Sequence, residues 1–138
     1  MLRTRLNDEL KLAVKSKDEY RKATLRLILA ALKDRDIAAK TKGHAEGIGD
    51  DELLEMLQTM VKQRADSIEL YRKGGRMDLA QRESQETDVI RSFLPEPLSQ
   101  EETEAAVKQV ITDVGASGLK DMGRTMTALR EQYAGRMD

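Results

Sequence analysis

The sequence predicts an all-α protein made of two helical units, an amino-terminal bundle over residues 1–94 and a smaller carboxy-terminal bundle over residues 95–138. Three observations carry this. Leu, Ile, Val and Met recur at spacings of three and four along nearly the whole chain, which is the period of an amphipathic helix and not of a strand. The only two prolines lie within Phe93-Leu94-Pro95-Glu96-Pro97-Leu98-Ser99. Each removes an amide donor and pushes the residue before it toward extended geometry, so an arriving helix must stop there. Directly afterwards, Ser99 followed by Glu102 is a capping-box pattern ahead of a new apolar run. The Pro-x-Pro segment therefore reads as a stiff joint between helices, a setting that suits a ligand for a polyproline-recognising domain poorly.

The first helix is expected from residue 2 to 15, with Leu2, Leu6, Leu10 and Val14 as a narrow apolar stripe. The second, from about 18 to 39, contains Leu25, Leu27, Ile28, Leu29, Ala30, Ala31 and Leu32 and has almost no polar face, so it is expected to be the hub of its bundle. Arg26 and Lys33 interrupt and follow that run, and their stems are expected to reach along the core to water. Three glycines fall among the seven residues from Gly43 to Gly49, which predicts a mobile loop carrying the chain's one histidine, His44.

Asp50-Asp51-Glu52 opens the third helix, where carboxylates complement the positive helix end and Asp50 is placed to cap. Three adjacent side chains on a helix point in three directions, so they make a poor metal site. This helix ends at Gly74-Gly75, a natural C-cap. A fourth, from about 78 to 94, is apolar at both ends and polar through Gln81 to Asp88; its Glu83 and Glu86 are spaced for acid-base work but read more simply as solvated. Ala106, Val107, Val110, Ile111 and Val114 mark the fifth helix, and Met122, Met126, Leu129 and Tyr133 the core stripe of the sixth. The turn Gly115-Ala116-Ser117-Gly118 between them is no phosphate cradle, since no strand precedes it and no Gly-Lys-Ser/Thr follows.

Composition narrows the function. The chain of 138 residues has no cysteine, which excludes disulfides and thiol chemistry and suits a reducing compartment. Met1 begins no basic-then-apolar leader, and the longest apolar run, 27–32, is too short to span a bilayer. A cytoplasmic protein without membrane attachment is the expectation. Charge is lopsided: residues 1–43 hold twelve Lys or Arg against six Asp or Glu, a balance of +6, which leaves −7 for the rest of a chain whose total is −1. Such asymmetry fits a nucleic-acid footprint and equally fits solvated helix faces.

Three stretches, in order, carry a family resemblance: Thr24-Leu25-Arg26-Leu27-Ile28-Leu29-Ala30-Ala31-Leu32-Lys33, then Ser92-Phe93-Leu94-Pro95-Glu96-Pro97-Leu98-Ser99, then Gly115-Ala116-Ser117 with Lys120-Asp121-Met122-Gly123-Arg124-Thr125-Met126. Together they closely resemble the YqeY family of small bacterial proteins. The resemblance implies an all-helical fold in two subdomains, similar to the tail region of the B subunit of the glutamine-dependent tRNA amidotransferase. In that enzyme the tail helps hold tRNA, while glutamine hydrolysis and carboxylate activation occur elsewhere. Family members continue past a Gly-Arg-x-Asp segment, here Gly135-Arg136-Met137-Asp138, into a last helix, which this chain is expected to lack.

The function implied is a non-catalytic module that interacts with tRNA, or with amidotransferase or aminoacyl-tRNA synthetase components, and that needs no cofactor and no metal. Lys120, Arg124, Arg130 and Arg136 are the cations expected to meet phosphate, through contacts that are electrostatic and salt-sensitive with little base readout. The near absence of aromatics argues against stacking on single strands. Two alternatives stand beside this: a protein-protein adaptor with no nucleic-acid role, and a carbon-nitrogen ligase using glutamine as amide donor. The last lacks the nucleophile and phosphate loop its chemistry needs.

Overall fold

A computed structural model describes residues 1–114 and 122–136. The described residues form six α-helices: α1 Leu2–Lys15, α2 Glu19–Thr41, α3 Asp50–Lys73, α4 Met77–Arg91, α5 Gln100–Val114 and α6 Met122–Tyr133. The chain is all-α, and its contacts group it into two compact units, Met1–Leu94 and Pro95–Asp138.

In the first unit α3 packs most extensively against α4, while α2 lies against both α1 and α4. Its core gathers Leu6 and Ala13 of α1, Leu25, Ile28 and Leu32 of α2, Ile48, then Leu53, Met56, Leu57 and Met60 of α3, Ile90 of α4, and Phe93. The α1 stripe differs from the expected one at its end, because Ala13 is buried and Val14 is half exposed. A spacing of four drifts about 40° per step, so after three steps Val14 has left the face that begins at Leu2, whereas the residue eleven positions on has returned to it. The expectation that α2 is buried all round also fails. Leu25, Ile28 and Leu32 face the core, but Leu27 and Ile37 are 46% and 54% exposed, so α2 is an amphipathic wall of its bundle.

The helix ends follow from local chemistry. Asp18 caps α2 by accepting the Arg21 amide at 3.1 Å. At the start of α3 the expected cap moves by one residue: Gly49 is the N-cap, without a side-chain bond, and Asp50 is the first helical residue. The other end of α3 is a Schellman closure, in which Gly75 takes φ +74° and the Arg76 amide reaches back to the Tyr71 carbonyl at 2.8 Å. α4 stops at Arg91, three residues before the expected end. The Phe93 and Leu94 amides bond three residues back, to Ile90 and Arg91, and tighten the chain ahead of Pro95.

The loop after α2 is not the mobile segment expected from its glycines. Gly43 adopts φ +96°, and the His44 amide donates to the Ala39 carbonyl at 3.0 Å, a second Schellman closure. Farther along, the Ile48 amide donates to the Asp36 carboxylate at 3.0 Å. Gly47, at φ +83°, sits so close to Asp36 that a Cβ there would collide with the carboxylate. The loop is therefore tied at both ends.

In the second unit Ser99 and Glu102 form the reciprocal capping box: the Glu102 amide donates to Ser99 Oγ at 3.1 Å and the Ser99 amide to Glu102 Oε1 at 3.3 Å. Ala106 and Val110 of α5 are buried with Thr125 and Leu129 of α6. Leu129 is core as expected, but Met122 and Met126 are 56% and 46% exposed. The buried line of α6 runs through Thr125, which periodic reading passes over because it counts only apolar side chains.

Candidate nucleic-acid interface

Of the four cations expected to meet phosphate, Lys120 lies outside the described residues, as does the glycine turn before it. Arg124 and Arg130 are both exposed on α6. Six residues apart on a helix, they point about 120° away from each other, so they do not form one phosphate grip. Arg124 borders a shallow groove of about 520 Å³ together with Thr127 and Glu131. Arg136 is anchored: its Nε donates to the Glu96 carbonyl at 3.1 Å, and its own carbonyl accepts the Leu98 amide at 2.8 Å. Its geometry closes the second unit by joining the turn after α6 to the segment before α5.

Many basic residues of the first unit are engaged inside it. The Arg5 guanidinium lies 4.8 Å from the centre of the Phe93 ring and donates to the Ser92 carbonyl at 2.9 Å. Arg21 covers the same ring at 5.7 Å and pairs with Glu9 at 3.0 Å. Arg3 forks onto Asp36, with one bond of 3.1 Å, and also donates to the Ile48 carbonyl at 2.8 Å. That guanidinium holds the Asp36 carboxyl below the usual carboxylate range, with the Ile48 amide assisting and burial opposing. The carboxylate in turn raises Arg3. In the wet middle of α4, Glu83 and Glu86 are not simply solvated as expected. Both face Arg64 of α3, at 3.9 and 3.1 Å.

After this accounting, one set of cations on α2 stands out. Arg26, Lys33 and Lys40 are all exposed and lie outside ion-pair distance of any acid among the described residues, although the Lys40 charge still acts on Asp36 one turn before it. Their spacing of seven places them on one line along the flank of the helix beside its buried stripe, with about 10 Å between neighbours. Neither Arg26 nor Lys33 lies along the core as expected; both stand in solvent. The seven-residue repeat was present in the sequence, but it gains meaning only when Leu25, Ile28 and Leu32 beside it are seen to be the buried stripe of α2. Among the described residues no three His, Cys, Asp or Glu gather as they would around a metal. No described helix is long and apolar enough to cross a membrane.

An all-α chain whose prolines fall between a larger and a smaller helical unit, with a line of exposed cations along a flank of its second helix, is the class defined by this fold and surface. Residues 3–138 match the model of the family described as YqeY, Yqey-like protein. The chain belongs to the YqeY family.

Among curated proteins it is similar to "Altered inheritance of mitochondria protein 41, mitochondrial" from several yeasts. The identity is 33% over 114 residues for Lachancea thermotolerans, covering 81% of this chain and 59% of the relative. For Kluyveromyces lactis it is 34% over 115 residues, covering 81% and 60%. For Saccharomyces cerevisiae it is 35% over 97 residues, covering 70% and 50%. The chain thus spans about three-fifths or less of the length of these relatives. Two expectations are corrected by their names. The relatives are mitochondrial proteins, which overturns the cytoplasmic assignment drawn from composition, and they are yeast proteins, so the resemblance is not confined to bacteria. Absence of cysteine and of a long apolar run is equally compatible with the inside of an organelle, which is why composition misled.

Proposed function

We propose that this chain is a non-catalytic accessory module that holds tRNA by its sugar-phosphate backbone, as the tail of the amidotransferase B subunit does in the enzyme its family resembles. The observation that supports the reading is the line of exposed cations Arg26, Lys33 and Lys40 on α2. A line of cations can meet backbone phosphates and carries no base readout. Arg124 and Arg130 act as separate secondary contacts on α6, and Lys120 is grouped with them. Tetherable partners would be the amidotransferase or synthetase components that handle the same tRNA.

Labelled tRNA titrated with the chain, against an unrelated RNA duplex at low and at near-physiological salt, tests this. The reading expects tRNA to bind in preference to the duplex and to keep part of its affinity at the higher salt. Equal binding to both, or complete loss at the higher salt, contradicts it.

A protein-protein adaptor is the second reading, favoured by one observation. Tyr20, Leu27 and Ile37 are 68%, 46% and 54% exposed on the same helix as the cations. Replacing those three by Ser or Gln leaves tRNA binding intact under the first reading and abolishes capture of a protein partner under the second.

A further inference from the structure

The anchored loop after α2 builds a second basic feature, different in kind from the α2 line. Arg35, Lys42, His44 and Glu52 surround a cleft of about 390 Å³ whose floor is Ala39 and Ile48. Arg35, Ala39 and Lys42 lie four and then three residues apart on α2, which brings them to one face. His44 is fixed beside them, because its amide is bonded to Ala39 and its carbonyl accepts the Gly47 amide at 3.0 Å. Glu52 comes from the first turn of α3. The Asp36 bond to Ile48 sets the distance between the two sides. Among the described residues the side chains of Arg35, Lys42 and His44 form no hydrogen bond or ion pair. That contrasts with Arg3, Arg5, Arg21 and Arg64, each held by a neighbour in the same unit.

We infer that this cleft binds a nucleoside 5′-monophosphate group, either as the free nucleotide or as the phosphorylated 5′ end of an RNA. The volume falls in the range of small-molecule sites. Arg35 and Lys42 supply the charge for a terminal phosphate dianion, the guanidinium in bidentate fashion, and the His44 imidazole adds a hydrogen bond. Ala39 and Ile48 offer an apolar floor for the flat face of a base. Glu52 sets the direction of binding: its carboxylate repels the phosphate from that side and accepts from the ribose hydroxyls. A bare anion would gain nothing from the floor or from Glu52, and a nucleoside would leave the cations unused. The inference stands apart from the tRNA reading, since a mononucleotide suffices to test it.

His44 is the only histidine, so its imidazole ring protons give an unambiguous NMR signal in the full chain. Titration with AMP, inorganic phosphate and adenosine is expected to move that signal saturably with AMP, more weakly with phosphate and not with adenosine. Arg35→Glu and Lys42→Glu, both at exposed positions and checked for unchanged circular dichroism, are each expected to weaken AMP binding about tenfold or more. A short RNA carrying a 5′-phosphate, compared with the same RNA carrying a 5′-hydroxyl, separates the sources. Tighter binding of the phosphorylated RNA than of AMP assigns the site to RNA ends, and the reverse order assigns it to free nucleotide. An unsaturable shift, equal shifts from phosphate and AMP, or AMP binding unchanged in both variants would overturn the inference.

Discussion

The Asp36 carboxylate accepts the Ile48 amide at 3.0 Å across the loop that joins α2 to α3. The same carboxylate takes the fork of Arg3 from α1, so one side chain fixes three segments of the first unit. Because these bonds favour its charged form, the folded-state value of Asp36 lies below its unfolded one. The stability it adds is therefore complete above the ordinary carboxylate range and is lost as pH falls through the depressed folded value. Asp36→Asn is expected to lower the melting temperature at neutral pH and to flatten its fall on acidification. Thermal melts from neutral to strongly acidic pH read both effects, and a variant that keeps the wild-type acid profile would remove Asp36 from this role.

Arg64 joins α3 to α4 by a different logic. Its side chain is 14% exposed, and it faces Glu83 and Glu86 at 25% and 18%. Arg64→Ala leaves Glu83 facing Glu86 with only the more exposed Arg82, 3.9 Å from Glu86, as a cation, and is expected to destabilise the unit by about 1–3 kcal/mol. Adding Glu86→Gln to that variant is expected to recover part of the loss, since the two sites share one interaction. Denaturant unfolding of the four members of the cycle measures the coupling, and simple additivity would contradict it.

Lys17 ends α1 with φ +59°, a left-handed conformation that side chains other than glycine adopt at a cost. The Asp18 amide reaches back to Ala13 at 3.0 Å, so the position is the αL residue of a Schellman closure. Lys17→Gly is expected to stabilise the unit by up to about 1 kcal/mol. A lower denaturation midpoint in the variant would show that the lysine side chain contributes more than its backbone strain removes.

What the sequence made legible was local. The capping box at Ser99 and Glu102, the α1 limits and the glycine closure at Gly75 depend on residues within a few positions of each other, and spacing alone reveals them. Asp36 was invisible for the opposite reason. In sequence it is one acid among many on a long helix, and its importance comes from Arg3 and Ile48, which only the fold brings to it. The unassuming Thr125 took a core place that Met122 and Met126 were expected to fill, because which stripe of α6 is buried depends on where α5 lies. The α2 line of Arg26, Lys33 and Lys40 has the same origin: its spacing is in the sequence, but its place on the exposed flank of the helix is set by Leu25, Ile28 and Leu32 turning inward.

The central claim is that this line carries the tRNA backbone. The measurement closest to it is the salt dependence of tRNA affinity for the wild type and for the triple variant Arg26→Glu, Lys33→Glu and Lys40→Glu. All three side chains are exposed, and because Lys40 also favours the charged Asp36 one turn before it, circular dichroism and a thermal melt verify that the fold survives. The account predicts weaker binding to tRNA at every salt concentration and a log-log salt slope shallower by about 2–3, roughly one phosphate contact for each lost cation. A folded variant with the wild-type affinity and slope would contradict it, and would move the search to the apolar residues on the same helix.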